Sequence, residues 1–369
     1  MKSEFLMKDG LALMREARQR IYQNNNTSIH MIRRVPKFLH QSERFYNYCI
    51  PKMISFSPIH HDSENTKEGD HYKLLWVSLF VDSFAQKIYQ DYHQAYKLLF
   101  QRIVDNMEEL VNMFSKDVVE GYNINQLAWM LFVDGCALLH FMDNVDDQCP
   151  QALNLKVGQL MYMWKDIILL ENQLPTKLLE ILCKDWRDDL DMLFENYHSK
   201  GACKRIGMAV IHLDNHKPFH ILDSSRLKYI SPLRTILGSE KTKTMKDIFQ
   251  IQEDDDEQKI YRSPYKSIRD LKRVGIRVVA NTKNKSIRSN ILFKSNWFSG
   301  ELRLPIIEFN DVTPYFLRNL MAFELCSHVP YNYECCSFLT FIHSLVDNAE
   351  GVKELITAGV LQNLEVMKI

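Results

Sequence analysis

Three acidic residues lie in stretches of the sequence that are otherwise apolar, and they are the first places to look for chemistry. They are Asp134 in AWMLFVDGCALLHFM, Glu171 in DIILLENQLP and Glu324 in YFLRNLMAFELC. A buried carboxylate is costly unless it is protonated or paired. Two such groups with different pKa values could serve as general acid and general base, with His60, His61 or His140 as a third group. The alternative is that the acids accept hydrogen bonds that tie helices together.

Helical periodicity places all three acids on apolar faces. With about 100° per residue, Glu171 and Glu324 each fall between two apolar neighbours on the helical wheel. Asp134 lies in a segment that has hardly any polar side. We therefore predict that the three carboxylates are buried. Their expected partners are backbone amides and the side chains of Arg33, Arg34 and Arg318.

No catalytic or ligand-binding motif accompanies these acids. The sequence has no nucleophile elbow, no phosphate-binding loop and no cysteine or histidine spacing typical of a zinc site. Because ion-pair networks perturb carboxylates as readily as active sites do, we favour a structural role. The sequence thus predicts no catalytic residue, no cofactor, no metal and no enzyme. The alternative, a hydrolase-like enzyme, requires two of the acids to line one pocket with His60 or His61.

The segment ENQLP predicts a buried corner between two helices. Pro175 has no amide to donate, so a helix over 155–172 must end there, and another is expected over 175–198. Asn172 and Gln173 carry side chains that can satisfy the backbone groups freed at the break.

Apolar periodicity predicts that the first two thirds of the chain are mainly helical. From Phe80 to Phe114 apolar residues recur every three or four positions, without Gly or Pro, which indicates one long helix or two nearly continuous ones. This stripe is rich in aromatic residues, so packing within the chain is favoured over a coiled-coil partner. The segment 123–142 is apolar on nearly every side and is predicted to be a central helix.

The last third of the chain mixes helices with short strands. Ser263 is expected to cap a helix that ends at Gly275. Alternating apolar residues in IRVVA and in NILFKSNWFSGELRLPII predict strands about a turn at Ser299 and Gly300, and Thr313 is expected to cap the next helix. The predicted fold is mainly α, a multi-helix globular array with a small antiparallel β-sheet in the C-terminal third.

Composition and charge exclude several functional classes. Lys plus Arg and Asp plus Glu both number 46, so the net charge is zero, whereas proteins that bind phosphate backbones normally carry a basic excess. We therefore predict no nucleic-acid partner. The eight cysteines are scattered without a CxxC motif, as expected for reduced thiols in the cytoplasm.

The N-terminus lacks the apolar core of a signal peptide, and the longest apolar runs fall short of the ~20 residues that span a membrane. The predicted location of this chain is cytoplasmic.

A local basic segment is the feature that points to a membrane surface. Between Arg262 and Arg288 there are nine Lys or Arg residues and one acid, Asp270. Such a segment attracts anionic lipid, each basic residue contributing about 1 kcal/mol near the surface. The favoured interpretation is the solvated face of a helix over 264–274.

Eight short motifs occur in order along the chain. They are IRRVPKFL (32–39), ISFSPIHH (54–61), MLFVDGCALLHF (130–141), DIILLENQLPTKLLEIL (166–182), FHILD (219–223), SIRDLKRVGIRV (267–278), GELRLPIIEFNDVTPYFLRNLMAFELC (300–326) and LVDNAEGVKELITAGVL (345–361). Together they resemble the plant family called domain of unknown function 247, over about residues 30–364. Each motif alone is weak, but eight in order are highly specific. Ser57 stands where the family has glycine, and Ile59 where it has tyrosine.

The resemblance implies a set of structural determinants among the motif residues. They are Val35, Pro36, Pro58, His60, His61, Asp134, Gly135, Glu171, Asn172, Gln173, Pro175, Arg318, Asn319 and Glu324. It also implies one family domain over 30–366, preceded by a peripheral N-terminal helix over 1–29. Within the domain we expect a helical lobe (30–235), a variable excursion (236–262) and an α+β lobe (263–366).

The family also carries implications for function. Its members usually continue into a C-terminal membrane-spanning helix, and this sequence stops at Ile369 without one. A membrane is therefore expected only through a longer parent chain or the basic segment 262–288. Some members lie at grass self-incompatibility loci, where they are thought to act as male-side recognition determinants in pollen. The resemblance thus implies a protein-protein recognition or scaffold module linked to self-incompatibility-type signalling, with an unidentified protein partner. The expected contact sites are the two most variable-looking surface segments, the excursion at 240–260 and the loop at 144–151.

Overall fold

Helices form most of the described chain, and its strands all follow residue 275. The computed structural model describes residues 14–15, 18, 31–146, 149–184, 190–200, 217–230, 267–281, 291–295, 297, 299–326, 333–346 and 348–363. The α-helices are α1 (Lys37–His40), α2 (Glu43–Tyr46), α3 (Lys67–Lys87), α4 (Tyr92–Asp105), α5 (Met107–Val111), α6 (Lys116–Val119), α7 (Ile124–Asn144), α8 (Val157–Ile167), α9 (Thr176–Cys183), α10 (Leu190–Lys200), α11 (Ile221–Ile230), α12 (Ile268–Arg273), α13 (Thr313–Glu324), α14 (Glu334–Leu345) and α15 (Ala349–Thr357). The strands are β1 (Ile276–Asn281), β2 (Leu292–Ser295), β3 (Gly300–Pro305), β4 (Ile307–Phe309) and β5 (Leu361–Asn363). The predicted fold class, mainly α with a small amount of sheet in the C-terminal third, is confirmed.

Several predicted segments lie outside the described residues. They include almost all of the N-terminal helix expected over 1–29 and all of the excursion over 236–262. The contact sites expected at 240–260 and at 144–151 are affected in the same way, the first wholly and the second in part.

Helix α7 is the central helix, as its apolar composition predicted. It packs against α3, α4, α9 and α10, and Leu131, Phe132, Leu139 and Phe141 on it are 0% exposed. By length and composition α7 also meets the criteria for a membrane-spanning helix, with a mean hydropathy of 1.2 over 18 residues. Of that window, 78% is buried inside the protein, and core helices of soluble proteins meet the same criteria.

The stripe from Phe80 to Phe114, predicted as one long helix or two nearly continuous ones, reaches into the short α5 and lies mainly on two helices, α3 and α4. Between them Tyr89 has a left-handed backbone with φ of 55°. The Asp91 carboxylate caps α4 by accepting a hydrogen bond from Gln94 N at 3.0 Å. Phe80 on α3 and Leu99 on α4 are both 0% exposed. The stripe therefore packs within the chain, as predicted, and the break needs neither Gly nor Pro.

The corner at ENQLP begins earlier than predicted. Helix α8 ends at Ile167 rather than near residue 172, and a 3-10 turn covers Leu170–Asn172 before α9 begins at Thr176. Pro175 therefore precedes a helix instead of ending one, at a place where an amide would have no helical partner. We refer to residues 166–176 as the corner.

The strands form two small sheets rather than one antiparallel sheet. In the first sheet β3 lies in the middle, where Leu302 is opposite Phe293 of the antiparallel strand β2 and opposite Val278 of the parallel strand β1. In the second sheet β4 and β5 are parallel. The predicted antiparallel pairing is therefore correct for β2 with β3 and wrong for β1 with β3, and the pairing of β4 with β5 was not predicted. A short connection can join only antiparallel neighbours, so the parallel partners come from more distant parts of the chain.

Two helix starts differ from the predicted residues. Helix α12 begins directly after its N-cap residue Ser267, whose hydroxyl accepts a hydrogen bond from Asp270 N at 3.3 Å. Ser267 thus takes the role predicted for Ser263, which lies outside the described residues. Thr313 is the first residue of α13 rather than its cap, and Asn310 Oδ1 accepts the hydrogen bond from Thr313 N at 3.1 Å.

Gly69→Ala is expected to destabilise the fold, because a Cβ at this position in α3 would overlap the Met53 carbonyl oxygen and lie 2.8 Å from Ile54 Cα. Buried backbone cannot move aside as a flexible side chain can, so we predict a loss of about 1–3 kcal/mol in the free energy of unfolding. The matched control is Gly158→Ala in α8, where nothing lies within 4 Å of the added Cβ. There the free energy should stay equal or rise by up to about 1 kcal/mol. Urea denaturation of both variants measures the difference, and an unchanged midpoint for Gly69→Ala would contradict the close approach.

Candidate functional site

Glu171 lies in the corner and is 1% exposed. Its Oε1 accepts a hydrogen bond from Val35 N at 2.7 Å, and its Oε2 pairs with His60 Nε2 at 2.8 Å. Val35 belongs to the segment before α1, and His60 closes the 3-10 turn Pro58–His60. One buried carboxylate thus joins three parts of the chain, and both of its oxygens are engaged.

Asn172 connects the corner to the irregular segment before the Pro58 turn. Its Oδ1 accepts a hydrogen bond from Phe56 N at 2.6 Å. Its Nδ2 donates to Ile54 O at 3.0 Å and to Asp166 O at 2.9 Å. The amide side chain therefore satisfies both an amide and carbonyls where no helix or sheet can do so.

Gln173 has the same function on the other side of the corner. Its Nε2 donates to Ile167 O and Leu169 O, both at 2.7 Å, which are carbonyls freed where α8 ends. Its Oε1 accepts a hydrogen bond from Leu222 N of α11 at 2.9 Å. The prediction that Asn172 and Gln173 satisfy backbone groups at the break is confirmed.

Asp166 is a fourth buried acid, which the sequence analysis missed. Its carboxylate accepts hydrogen bonds from three successive amides, Lys52 N (2.9 Å), Met53 N (2.7 Å) and Ile54 N (2.9 Å). Desolvation raises the pKa of Asp166 to about 6, although the three amides act to lower it. Asp166 is a buried residue of the amphipathic helix α8. Its position on the apolar face of that helix is the signal from which its burial could have been predicted.

Asn319 on α13 joins the corner to the surface. Its Oδ1 accepts a hydrogen bond from Leu170 N at 2.8 Å. Its Nδ2 donates to Tyr48 O and to Tyr315 O, both at 2.8 Å. This side chain is 0% exposed, and it fixes two tyrosines from distant parts of the chain.

Asp134 on α7 pairs with Lys73 on α3. Lys73 Nζ lies 2.8 Å from Asp134 Oδ1, donates to Ser55 O at 2.8 Å and lies 3.0 Å from Asp70 Oδ1. Desolvation raises the pKa of Asp134 against the attraction of Lys73. Desolvation lowers the pKa of Lys73, but Asp134 and Asp70 outweigh it, so this pKa lies above its ordinary value. Lys73 shares a helical face with Trp76, and that was the signal that could have identified it.

Glu324 at the end of α13 pairs with Arg226 of α11, and both side chains are at most 1% exposed. Glu324 Oε1 accepts hydrogen bonds from Arg226 Nε (3.0 Å) and Nη2 (2.8 Å). The carboxylate also accepts the amides of Cys335 (3.0 Å) and Cys336 (2.9 Å) at the start of α14. Arg226 Nη2 lies 2.7 Å from Glu334 Oε2 as well. Glu324 therefore caps the start of α14, and through Arg226 it also connects α13 to α11.

The burial predicted for the three acids is confirmed, and so is their use of backbone amides by Glu171 and Glu324. The predicted arginine partners are wrong. Glu171 contacts His60 instead, and the ion-pair partners of Asp134 and Glu324 are Lys73 and Arg226. Among the described residues the three acids share no hydrogen-bond partner, so each one serves a different junction of the chain.

The three candidate histidines lie in different surroundings. His60 contacts Glu171, whereas the ring of the adjacent His61 lies 6.4 Å from that of Tyr122. His140 on α7 is 8% exposed, and burial lowers its pKa. Within the described part of the chain, no group of three or more His, Cys, Asp or Glu side chains is arranged to hold a metal ion.

The cysteines near Glu171 are poor nucleophiles. Burial, reinforced by the Glu171 carboxylate, raises the pKa of Cys49 to about 12. Burial likewise raises the pKa of Cys326 to about 11. Since the thiolate is the nucleophilic form, both thiols stay protonated and unreactive near neutral pH.

The remaining motif residues shape turns and close packing. Pro36 precedes α1, and Pro58 opens its 3-10 turn behind Ser57. The Ser57 hydroxyl accepts a hydrogen bond from Ile59 N at 3.3 Å. The serine that replaces the family glycine therefore caps this turn. A Cβ at Gly135 on α7 would lie 2.5 Å from Leu182 Cδ1, so the absence of a side chain lets α7 and α9 approach.

Directly outside the corner lies a surface group that we call the tyrosine–cation patch. Its members are Tyr48, Lys52, Tyr162, Lys165, Tyr315 and Arg318. The Arg318 guanidinium lies 4.0 Å from the ring centroid of Tyr48. The Tyr48 ring in turn lies edge-on to that of Tyr315, with centroids 4.8 Å apart. Of these residues, only Arg318 was predicted from the sequence to be a determinant, and the expected partner was a buried acid.

Two lysines complete the tyrosine–cation patch. Lys52 Nζ donates a hydrogen bond to Tyr315 Oη at 3.1 Å, which raises the pKa of Lys52. Lys165 Nζ lies 5.3 Å from the ring centroid of Tyr162 and 5.5 Å from that of Tyr315. Tyr162 is 48% exposed, and Asp311 lies at the edge, 3.9 Å from Lys165. The patch is therefore a continuous row of rings and cations at the surface.

The basic segment 262–288 is described only over 267–281. The four basic residues in that part all have an acidic partner on the protein, at 3.2–4.0 Å. They are Arg269, Lys272, Arg273 and Arg277. Their positive charge is therefore offset locally, which weakens the argument for a membrane surface at this segment.

A model of the family DUF247, described as plant protein of unknown function, matches residues 32–367. This range agrees with the extent of the eight motifs. No curated protein matches the chain, and no solved structure does.

Glu324→Ala is expected to lower the free energy of unfolding by about 3–5 kcal/mol, because it leaves the buried guanidinium of Arg226 without this partner. The matched control is Glu350→Ala, which removes a surface ion pair with Arg269 in which the Glu350 side chain is 69% exposed. That change should cost at most about 1 kcal/mol. Denaturant titration of both variants tests the prediction, and equal losses would show that burial of the Glu324 pair has no energetic consequence.

Asp166 should make stability depend on pH. Its folded-state pKa of about 6 lies above the ordinary value of 3.8, so the folded protein holds this proton more tightly than the unfolded chain. The associated stability is fully present below a pH of about 4 and is lost as the pH rises through about 6. The unfolding free energy of the wild type, relative to that of Asp166→Asn, should therefore fall between about pH 4.5 and about pH 7. A relative free energy that rises over this range would mean that the three amides dominate over desolvation.

Proposed function

The chain belongs to DUF247, a plant protein family of unknown function, and from its geometry we propose that it is a protein-recognition module. In this proposal the helical array and its buried polar side chains form a scaffold. The tyrosine–cation patch is the surface that binds another protein. The observation that carries the proposal is the row of three tyrosines and three cations, held together at the surface.

The composition of the patch supports recognition. Tyrosine and arginine are among the side chains that contribute most to protein–protein affinity, because they combine a large contact area with polar groups. Arg318 already lies against the Tyr48 ring, and the side chain of Lys165 is 14% exposed between two further rings. Side chains that are held in place before binding lose less conformational entropy when a partner arrives.

The buried acids support a scaffold role in the same proposal. Asp166, Glu171 and Glu324 each accept backbone amides from separate segments, and Asp134 holds the Lys73 ammonium. Each of these contacts joins separate parts of the chain. Self-incompatibility-type signalling, in which some family members are thought to act, is a setting that such a recognition module would suit.

A hydrolase-like enzyme is the second candidate function. The observation that favours it is the contact of 2.8 Å between His60 Nε2 and Glu171 Oε2, which resembles the base-orienting pair of a catalytic triad. The second oxygen of Glu171 is occupied by Val35 N, and the thiols of Cys49 and Cys326 are protonated. Recognition is therefore the better-supported proposal. Ester hydrolysis by the wild type that is abolished in a stably folded His60→Gln variant would reverse this preference.

Replacing one exposed and one partly exposed member of the patch should remove a bound protein. We expect Tyr162→Ala and Arg318→Ala each to weaken binding of the partner retained from plant extract by about tenfold, the loss of one hot-spot side chain. Tyr92→Ala is the matched control, since Tyr92 is 45% exposed and Tyr162 48%. Retained protein is quantified by mass spectrometry on immobilised wild type and variants of equal thermal stability. A partner that is held equally by all of them would place the contact elsewhere.

A further inference from the structure

The tyrosine–cation patch has an excess of positive charge that limits the chemistry of its partner. It contains three cations, and the exposed acid at its edge is Asp311, which is 51% exposed and 3.9 Å from Lys165. Among the described residues, neither Lys52 nor Arg318 has a carboxylate within ion-pair distance. Their contacts are instead with tyrosine rings, a tyrosine hydroxyl and a backbone carbonyl. These cations are therefore available to a negatively charged group.

We propose that the patch binds an acidic segment of a partner protein, in which aspartate or glutamate side chains pair with Lys52, Lys165 and Arg318. This inference rests on the proposed recognition function and specifies its partner. The cations lie 4.0–5.7 Å from the ring centroids that separate them. On an extended peptide every second side chain points to the same side, about 7 Å apart. Alternate carboxylates of such a segment all face the row, where we expect them to pair with its cations.

The tyrosine hydroxyls add directional recognition. Tyr315 Oη accepts a hydrogen bond from Lys52 Nζ at 3.1 Å, so its own O–H remains available as a donor. A carboxylate that reaches Lys52 can accept that hydrogen bond as well, since an ionised carboxylate accepts several donors at once. The pair of donors favours a carboxylate over a neutral amide.

A protein segment fits this surface better than a membrane or a nucleic acid. Lys165 is recessed, with 14% of its side chain exposed, and Tyr48 and Tyr315 are only partly exposed. Side chains that project from an extended peptide can reach such groups, whereas a flat lipid surface cannot. The zero net charge of the chain gives no general attraction for phosphate backbones.

A pair of matched peptides tests the proposal directly. The probe is a fluorescein-labelled peptide of alternating glutamate and serine, and its control has glutamine in place of every glutamate. We expect the acidic peptide to bind the full chain by fluorescence anisotropy, with affinity that falls as salt rises, and the glutamine peptide not to bind. The Lys52→Gln, Lys165→Gln double variant should lose about tenfold in affinity, as two ion pairs of about threefold each would give. Lys272→Gln, at a lysine that is 69% exposed and paired with Glu354, is the control and should bind as the wild type does.

Zero-length carbodiimide cross-linking then locates the contact. The acidic peptide should be coupled to Lys52 and Lys165 in preference to exposed lysines such as Lys67 and Lys272, as shown by mass spectrometry. Equal binding of the two peptides, unchanged binding by the double variant, or coupling that is uniform over exposed lysines would each overturn the proposal. Binding to phosphatidylserine vesicles that exceeds peptide binding and depends on the same lysines would overturn it in favour of a lipid surface.

The outcomes also separate this inference from the proposed function. If the acidic peptide fails to bind while Tyr162→Ala still releases a protein partner, the recognition function stands and the acidic nature of the partner is wrong. If the peptide fails and the patch variants retain every bound protein, both are wrong.

Discussion

Buried backbone that belongs to neither a helix nor a sheet must still find hydrogen-bond partners, and the rest of this structure depends on how that requirement is met. The segment over residues 49–60 is largely buried, with Ile54 and Phe56 at most 1% exposed, and its amides have few regular partners. Side chains at the corner supply the acceptors, chiefly Asp166 for three successive amides and Asn172 for a fourth. Glu171 then ties the chain before α1 to the same place. Without these polar side chains, an irregular segment could not lie against the apolar helices, because each unpaired buried amide would cost about 1–3 kcal/mol.

The same buried side chains determine the shape of the proposed binding surface. Asn319 donates to the carbonyls of Tyr48 and Tyr315, which brings the two rings into contact outside the corner. Asp166 fixes the backbone of Lys52 in the same way. The surface row of rings and cations is therefore an outward consequence of the inner hydrogen bonds. A substitution in the corner would shift the residues of the patch even though it replaces none of them. In the proposed recognition function, buried motif residues would therefore affect binding without contacting the partner.

The sequence predicts burial better than it predicts partners. Apolar periodicity is a local property, and it correctly indicated the mainly helical fold, the central helix and the burial of Glu324 and Asp134. The partner of Glu324 is Arg226, 98 residues away, and that of Asp134 is Lys73, 61 residues away. Periodicity identifies the buried side of a helix but not the residue that lies opposite, so neither pairing could be derived. Asp166 and Lys73 were missed although both lie on apolar helical faces. Applied to every charged residue, the criterion of apolar periodicity would have indicated that both are buried. The parallel pairing of β1 with β3 was beyond reach because it depends on the path of the chain through space.

The residue types in the ENQ motif follow from the donors and acceptors that each position meets. An ionised carboxylate only accepts hydrogen bonds, whereas an amide side chain both accepts and donates. Glu171 faces an amide and a histidine nitrogen, and Asp166 faces three amides. Asn172 and Gln173 each face one amide and two carbonyls, so each needs an oxygen and an NH₂ group. Exchanging an acid for its amide would place an NH₂ group against a backbone amide, two donors facing each other at a buried junction. The reverse exchange would place a carboxylate against a carbonyl oxygen, two acceptors facing each other. The burial of Glu171, one of the acids that first suggested catalysis, is explained by this matching of its two oxygens to an amide and an imidazole nitrogen.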